Sequence, residues 1–133
     1  MRVDLAVLAD YATTTQDQKL VVVGVFDTII VTELPAAHRS LHLALRVCFG
    51  PADSGPHTLV VRLVDPDGHE VIPALQADFS ADVPEDPDAE DALQMVLEIG
   101  NVPFTIAGPH AVDILVDGRY EETVPLRIKK LPT

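Results

Sequence analysis

The chain has 133 residues, 47% of them hydrophobic, which suits one domain with its own core. Its 21 acidic and 9 basic residues give a formal net charge of −12, which repels phosphate backbones and anionic lipid surfaces and argues against general nucleic-acid binding. The single cysteine, Cys48, rules out an internal disulfide and a thiolate zinc site, and no apolar run approaches the roughly 20 residues of a membrane helix.

Period-two alternation dominates from the start of the chain. "RVDLAVLAD", residues 2–10, lines up Val3, Leu5 and Val7, while Asp4 and Asp10 interrupt any signal-peptide core. "KLVVVGVFDTIIV", residues 19–31, is apolar on both faces and predicts a central strand bent at Gly24. Its β-branched content and internal glycine argue against a buried helix. "LPAAHRS", residues 34–40, is expected to make a single helical turn. In "LHLALRVCF", residues 41–49, Leu41, Leu43, Leu45, Val47 and Phe49 share one face; His42, Ala44, Arg46 and Cys48 share the other.

Pro51, Gly55 and Pro56 then break the chain, and "TLVVRLVD" resumes the alternation with Leu59, Val61 and Leu63. "PDG", residues 66–68, and "DG", residues 117–118, are turn sequences between apolar runs. "DVPEDPDAED", residues 82–91, has six acidic residues in ten and two prolines, and reads as a flexible acidic loop. The last runs line up Leu93, Met95, Leu97 and Ile99, then Val112, Ile114 and Val116, then Val124, Leu126 and Ile128. The expectation is an all-β chain: residues 1–133 as a single-domain antiparallel β-sandwich, immunoglobulin-like, with about eight strands. The Cys…Trp…Cys core of antibody domains is missing, because there is no Trp and one Cys.

Three stretches carry a resemblance: "VDLAVLAD" (3–10), "KLVVVGVFDTI" (19–29) and the closing "GPHAVDILVDGRYEETVPLRI" (108–128). In layout the chain resembles a family of small bacterial proteins of unknown function with a predicted immunoglobulin-like sandwich. The resemblance covers nearly the whole chain. It implies a bacterial β-sandwich and brings no activity or catalytic residue with it.

Among chemical constellations, the acidic turns come first. Calcium needs several converging carboxylates. Asp65, Asp67 and Asp117 are the candidates, with Asp82, Glu85, Asp86 and Asp88 as partners from the acidic loop. The competing reading is stronger: Asp caps its own turn and Gly supplies the positive φ. Of the histidines, His38 and His42 lack a helical zinc motif, while His57, His69 and His110 adjoin turns and are expected to be solvated. Cys48 has no local base and reads as an inert thiol. Ser40, Ser54 and Ser80 sit in no nucleophile elbow, and phosphate-binding glycine loops are absent. No catalytic residue, cofactor or metal is expected.

Surfaces remain. Arg39, His42, Arg46 and Arg62 read as a small basic island, provided strands 41–49 and 57–65 pair. Unprotected strand edges favour association, because Lys19, Lys129 and Lys130 lie at strand ends. The function expected is a non-catalytic cytoplasmic interaction module that self-associates or docks on a protein; the alternative is a small-molecule or calcium-binding domain using acidic loops at one end. The partner expected is a protein or a second copy, with neither nucleic acid nor membrane.

Overall fold

The computed structural model describes residues 1–82, 86, 88 and 90–132. Among these are nine strands in two sheets and no α-helix. In chain order the strands are β1 (Arg2–Thr14), β2 (Leu20–Phe26), β3 (Thr28–Val31), β4 (Ala36–Phe49), β5 (Gly55–Val64), β6 (Leu75–Ala81), β7 (Asp91–Phe104), β8 (Gly108–Val116) and β9 (Arg119–Lys130). Sheet A has the order β2-β1-β4-β7 and sheet B the order β3-β9-β8-β5-β6. All neighbours are antiparallel except β3 and β9, which run parallel.

Most of the alternation read from the sequence becomes the core; on β1 a register shift between Val3 and Leu5 leaves Leu5 exposed and buries Leu8 instead. Leu41, Leu43, Leu45 and Val47 of β4 are buried together with Leu59, Val61 and Leu63 of β5. Val112, Ile114 and Val116 of β8 and Val124, Leu126 and Ile128 of β9 join the same cluster. The two sheets therefore share one apolar interior, in which each fully buried Leu contributes roughly 1.5–3 kcal/mol. On β7 the phase slips. Ile99 is buried, Gly100 and Asn101 are exposed, and Val102 and Phe104 are buried again. Asn101 takes φ 51°, and this local kink lets the strand return its apolar side chains to the core.

Three expectations change. Residues 19–31 do not form one central strand. They split at the exposed Asp27 into β2 and β3, and each is the edge strand of a different sheet. The Asp27 carbonyl accepts the Arg127 N–H at 2.7 Å, which starts the parallel pairing with β9. Gly24 is backbone-critical within β2: it has φ +71°, and a Cβ there would lie 2.5 Å from Asp10 Oδ2. Residues 34–40 make no helical turn; Ala36–Ser40 open β4 and pair with residues 100–104 of β7. Finally, β6 raises the strand count to nine, through the alternating Leu75, Ala77 and Phe79 and the buried Ala81.

The acidic loop expected at 82–91 falls largely on residues 83–85, 87 and 89, which lie outside the described residues.

Candidate functional site

The chain has two surfaces of unusual composition, one polar and one apolar. The polar one closes the end of sheet B where β5 begins and β8 ends. Asp117 and Gly118 form the two-residue link between Val116 and Arg119, with φ 51° and 78°. Positive φ at both positions is the type I′ geometry that matches strand twist. Asp117 also reaches β5: its Oδ1 accepts the Thr58 N–H at 2.9 Å and its Oδ2 lies 2.5 Å from His57 Nδ1.

His57 Nε2 faces the Asp53 carbonyl at 2.6 Å. Both ring nitrogens thus face acceptors, which calls for an imidazolium donating from both. The Asp117 carboxylate and then the Asp53 carbonyl hold the His57 pKa above its ordinary value. In return, the hydrogen bond from His57 holds Asp117 below the usual carboxylate range. Asp53 is lowered chiefly by the Gly50 N–H, and the Met1 amino group sits 3.3 Å from its Oδ2. Phe79 of β6 stacks on the imidazole with ring centroids 5.5 Å apart.

This cluster corrects the expectation that His57 is solvated, since only 13% of its side chain is exposed. His110 is corrected too. It is 4% exposed, lies edge-on to Phe104 and donates from Nδ1 to the Gly108 carbonyl at 3.0 Å. His69 is the one of the three that stays exposed. Sequence gave no signal for these placements, because Asp117 and His57 are 60 residues apart.

The three calcium candidates do not converge. β5 and β8 are antiparallel, so Asp65, after β5, lies at the opposite end of sheet B from Asp117, after β8. Asp65 caps its own turn: Oδ1 accepts the N–H groups of Asp67 and His69 at 2.9 Å each, and Gly68 N–H donates to the Asp65 carbonyl at 3.0 Å. The His69 N–H, with that of Asp67, keeps Asp65 below its ordinary pKa. Asp65, Asp67 and His69 do offer ligand atoms within 4.8 Å of one another, as an ordinary Asx-type turn does. Of the loop partners, Glu85 lies outside the described residues; Asp86 accepts the Asp88 N–H at 3.0 Å, and Asp82 is exposed.

The basic island is not assembled. β4 pairs with β1 and β7, not with β5, so Arg46 and Arg62 belong to different sheets. Arg46 lies 3.7 Å from Asp4, and Arg62 lies 3.9 Å from Glu70. Arg39 is exposed on β4, and His42 stands edge-on to Tyr11 with its Nδ1 at the Asp10 carbonyl. Cys48 is only 3% exposed, and burial raises its pKa, as an inert thiol requires.

The apolar surface belongs to the β1–β2 hairpin. Ala9, Tyr11 and Thr13 stand opposite Val25, Val23 and Val21 on the outer face of sheet A. Val23 is 56% exposed, Val25 62% and Tyr11 52%. Leu5 is a further exposed apolar residue on β1, opposite Arg46. Beyond β2 sheet A has no further strand among the described residues, so its backbone edge is open. β2 reads LVVVGVF, without a charge or a proline to guard that edge. The apolar character of residues 19–31 was visible in the sequence; its exposure was not.

Comparison with known proteins identifies the chain as a member of a family of unknown function, DUF6941, whose profile matches residues 4–129. No curated protein matches. Among solved structures, the chain is similar to the Pseudomonas fluorescens alkylpurine DNA glycosylase AlkC bound to DNA containing an abasic site analog. The identity is 14% and the TM-score 0.38; the match covers 93% of this chain and 30% of that one. Because that neighbour holds DNA, the exclusion of nucleic acid drawn from net charge is withdrawn, while a likeness this loose brings no ligand to the present chain. Among the described residues no helix is long and apolar enough to cross a membrane.

Proposed function

We propose that this chain is a non-catalytic interaction module that docks a protein through the β1–β2 hairpin of sheet A. One observation carries the reading: β2, without a charge or a proline, is an edge strand whose Val21, Val23 and Val25 face solvent. Exposed apolar patches of this kind mark association sites, and an open edge offers main-chain hydrogen bonds to a second strand. Fold stability supplies no reason for them, because the outer valines add nothing to the shared core.

An immunoglobulin-like arrangement is part of the proposal. The order β9-β8-β5-β6 in one sheet, with β4 and β7 paired in the other, supports it. A cytoplasmic setting fits the one cysteine, kept as a free buried thiol.

The test is site-specific photocrosslinking in expressing cells. A photoreactive residue replaces Val23 in one strain and the equally exposed Tyr120 of β9 in another. A discrete protein adduct from position 23 and none from position 120 is the expected result. Equal adducts at both positions, or none at either, would overturn the reading.

A further inference from the structure

The open edge of β2 also carries its own complement. Within the hairpin, Thr15 N–H donates to the Lys19 carbonyl at 2.9 Å. Antiparallel pairing alternates from that point. Residues 19, 21 and 23 turn their peptide groups toward β1, and Leu20 and Val22 turn theirs outward. The offset between the strands is kept across Gly24, since Ala9↔Val25 and Tyr11↔Val23 share one frame, while Gly24 itself takes φ +71°.

We infer that the occupant of this edge is a second copy of the chain, joined by antiparallel β2–β2 pairing about a two-fold axis at Val23. The inference rests on the docking reading above and names its partner. In this register Val22, with its outward peptide group, meets the partner's Gly24, and Leu20 meets the partner's Phe26. Val21 meets the partner's Val25 and Val23 meets itself, so the six exposed valines make one continuous outer stripe. The charges also match. Lys19 and Asp27, the exposed residues bounding β2, fall opposite each other at both ends of the ladder. Among the described residues, Lys19 in the single chain pairs with Asp17 of its own turn, at 3.5 Å. An isologous interface is self-complementary by symmetry, so one favourable Lys19–Asp27 pairing occurs twice. The two four-stranded sheets become one of eight strands, and both open β2 edges disappear.

The purified chain at tens of micromolar is tested by sedimentation equilibrium and by disulfide trapping. The wild type is expected to sediment as a dimer. Val23→Lys sets two ammonium groups against each other at the axis and halves the mass, while the exposed control Ile30→Lys leaves the dimer intact. Across a non-hydrogen-bonded pair the Cα atoms lie about 4.5 Å apart, within disulfide reach. Val23→Cys is therefore expected to form a linked dimer under mild oxidation. Val21→Cys alone does not, because its own twin lies about 13 Å along the partner strand; Val21→Cys with Val25→Cys links again. The native Cys48 is buried and adds no background. A monomeric wild type overturns the inference, as does a dimer that Val23→Lys leaves intact. If the wild type is monomeric while position 23 still yields an adduct in cells, the self-pairing fails and the docking reading stands. If both fail, both are overturned.

Discussion

The Asp117 end of sheet B and the β2 edge of sheet A both face solvent, and they are built from opposite materials. At the Asp117 end, carboxylates, an imidazolium and backbone groups satisfy one another across three segments of the chain. Along β2 the outward side chains are valines, and half of the peptide groups face away from β1. The first surface spends its polar chemistry on fixing where β5, β8 and the 3-10 turn at Pro51–Asp53 meet. The second fixes nothing within the chain. Of the two, the region richer in titratable groups ties segments of the chain together, and the poorer one is the surface our proposal gives to a partner.

Five changes test that contrast, from the largest effect to the smallest. Leu43→Ala empties a fully buried position between β1 and β7, and chemical denaturation should show a loss of about 2–5 kcal/mol. It lowers global stability and so weakens both regions alike, which sets the scale. Gly24→Val forces a β-branched residue into left-handed φ, at about 1–2 kcal/mol before the collision with Asp10 is counted. Its expected signature is local: amide exchange quickens in β1 and β2 and stays unchanged in β8 and β9.

Asp117→Ala removes the acceptor of the Thr58 N–H and the carboxylate facing His57, and calorimetry should show Tm lower by a few degrees. His57→Gln acts through pH. A raised imidazole pKa contributes stability that is full below the ordinary value of about 6.5 and is lost as pH rises through the raised one. The lowered Asp53 and Asp117 act in the other direction, contributing above about 3.9 and losing that as pH falls through their depressed values. Denaturation midpoints for His57→Gln should therefore flatten on the alkaline side, lose part of the acid fall that Asp117 supplies, and keep the part set at Asp53 by the Gly50 N–H. Val23→Lys closes the series. It should move monomer stability by no more than about 0.5 kcal/mol, although it removes association altogether.

What could be read from the sequence follows the range of each interaction. Alternation is local, so Leu41 to Val47, Val112 to Val116 and Val124 to Ile128 were assigned to buried faces correctly. The Asp117–Gly118 turn was equally legible, because a two-residue hairpin needs positive φ and few residue types accept it. Pairing is not local. β4 finds β7, some fifty residues on, rather than β5, and this took the basic island apart. Residues 19–31 were misplaced for a more instructive reason. An apolar strand exposed at a sheet edge carries the same residue types as one buried on both faces. His57 was missed because its partners become neighbours only once β5 lies beside β8.

Cys48 offers a last consequence. It sits in β4 between Arg2 of β1 and Ala92 of β7, with its side chain on the outer side of sheet A and closed to solvent. It lines a surface recess with Arg46, Glu90 and Gln94, so a thiol reagent reaches it when those side chains move aside. Its labelling rate then reports motion on the outer face of sheet A, read from one native atom and blind to sheet B.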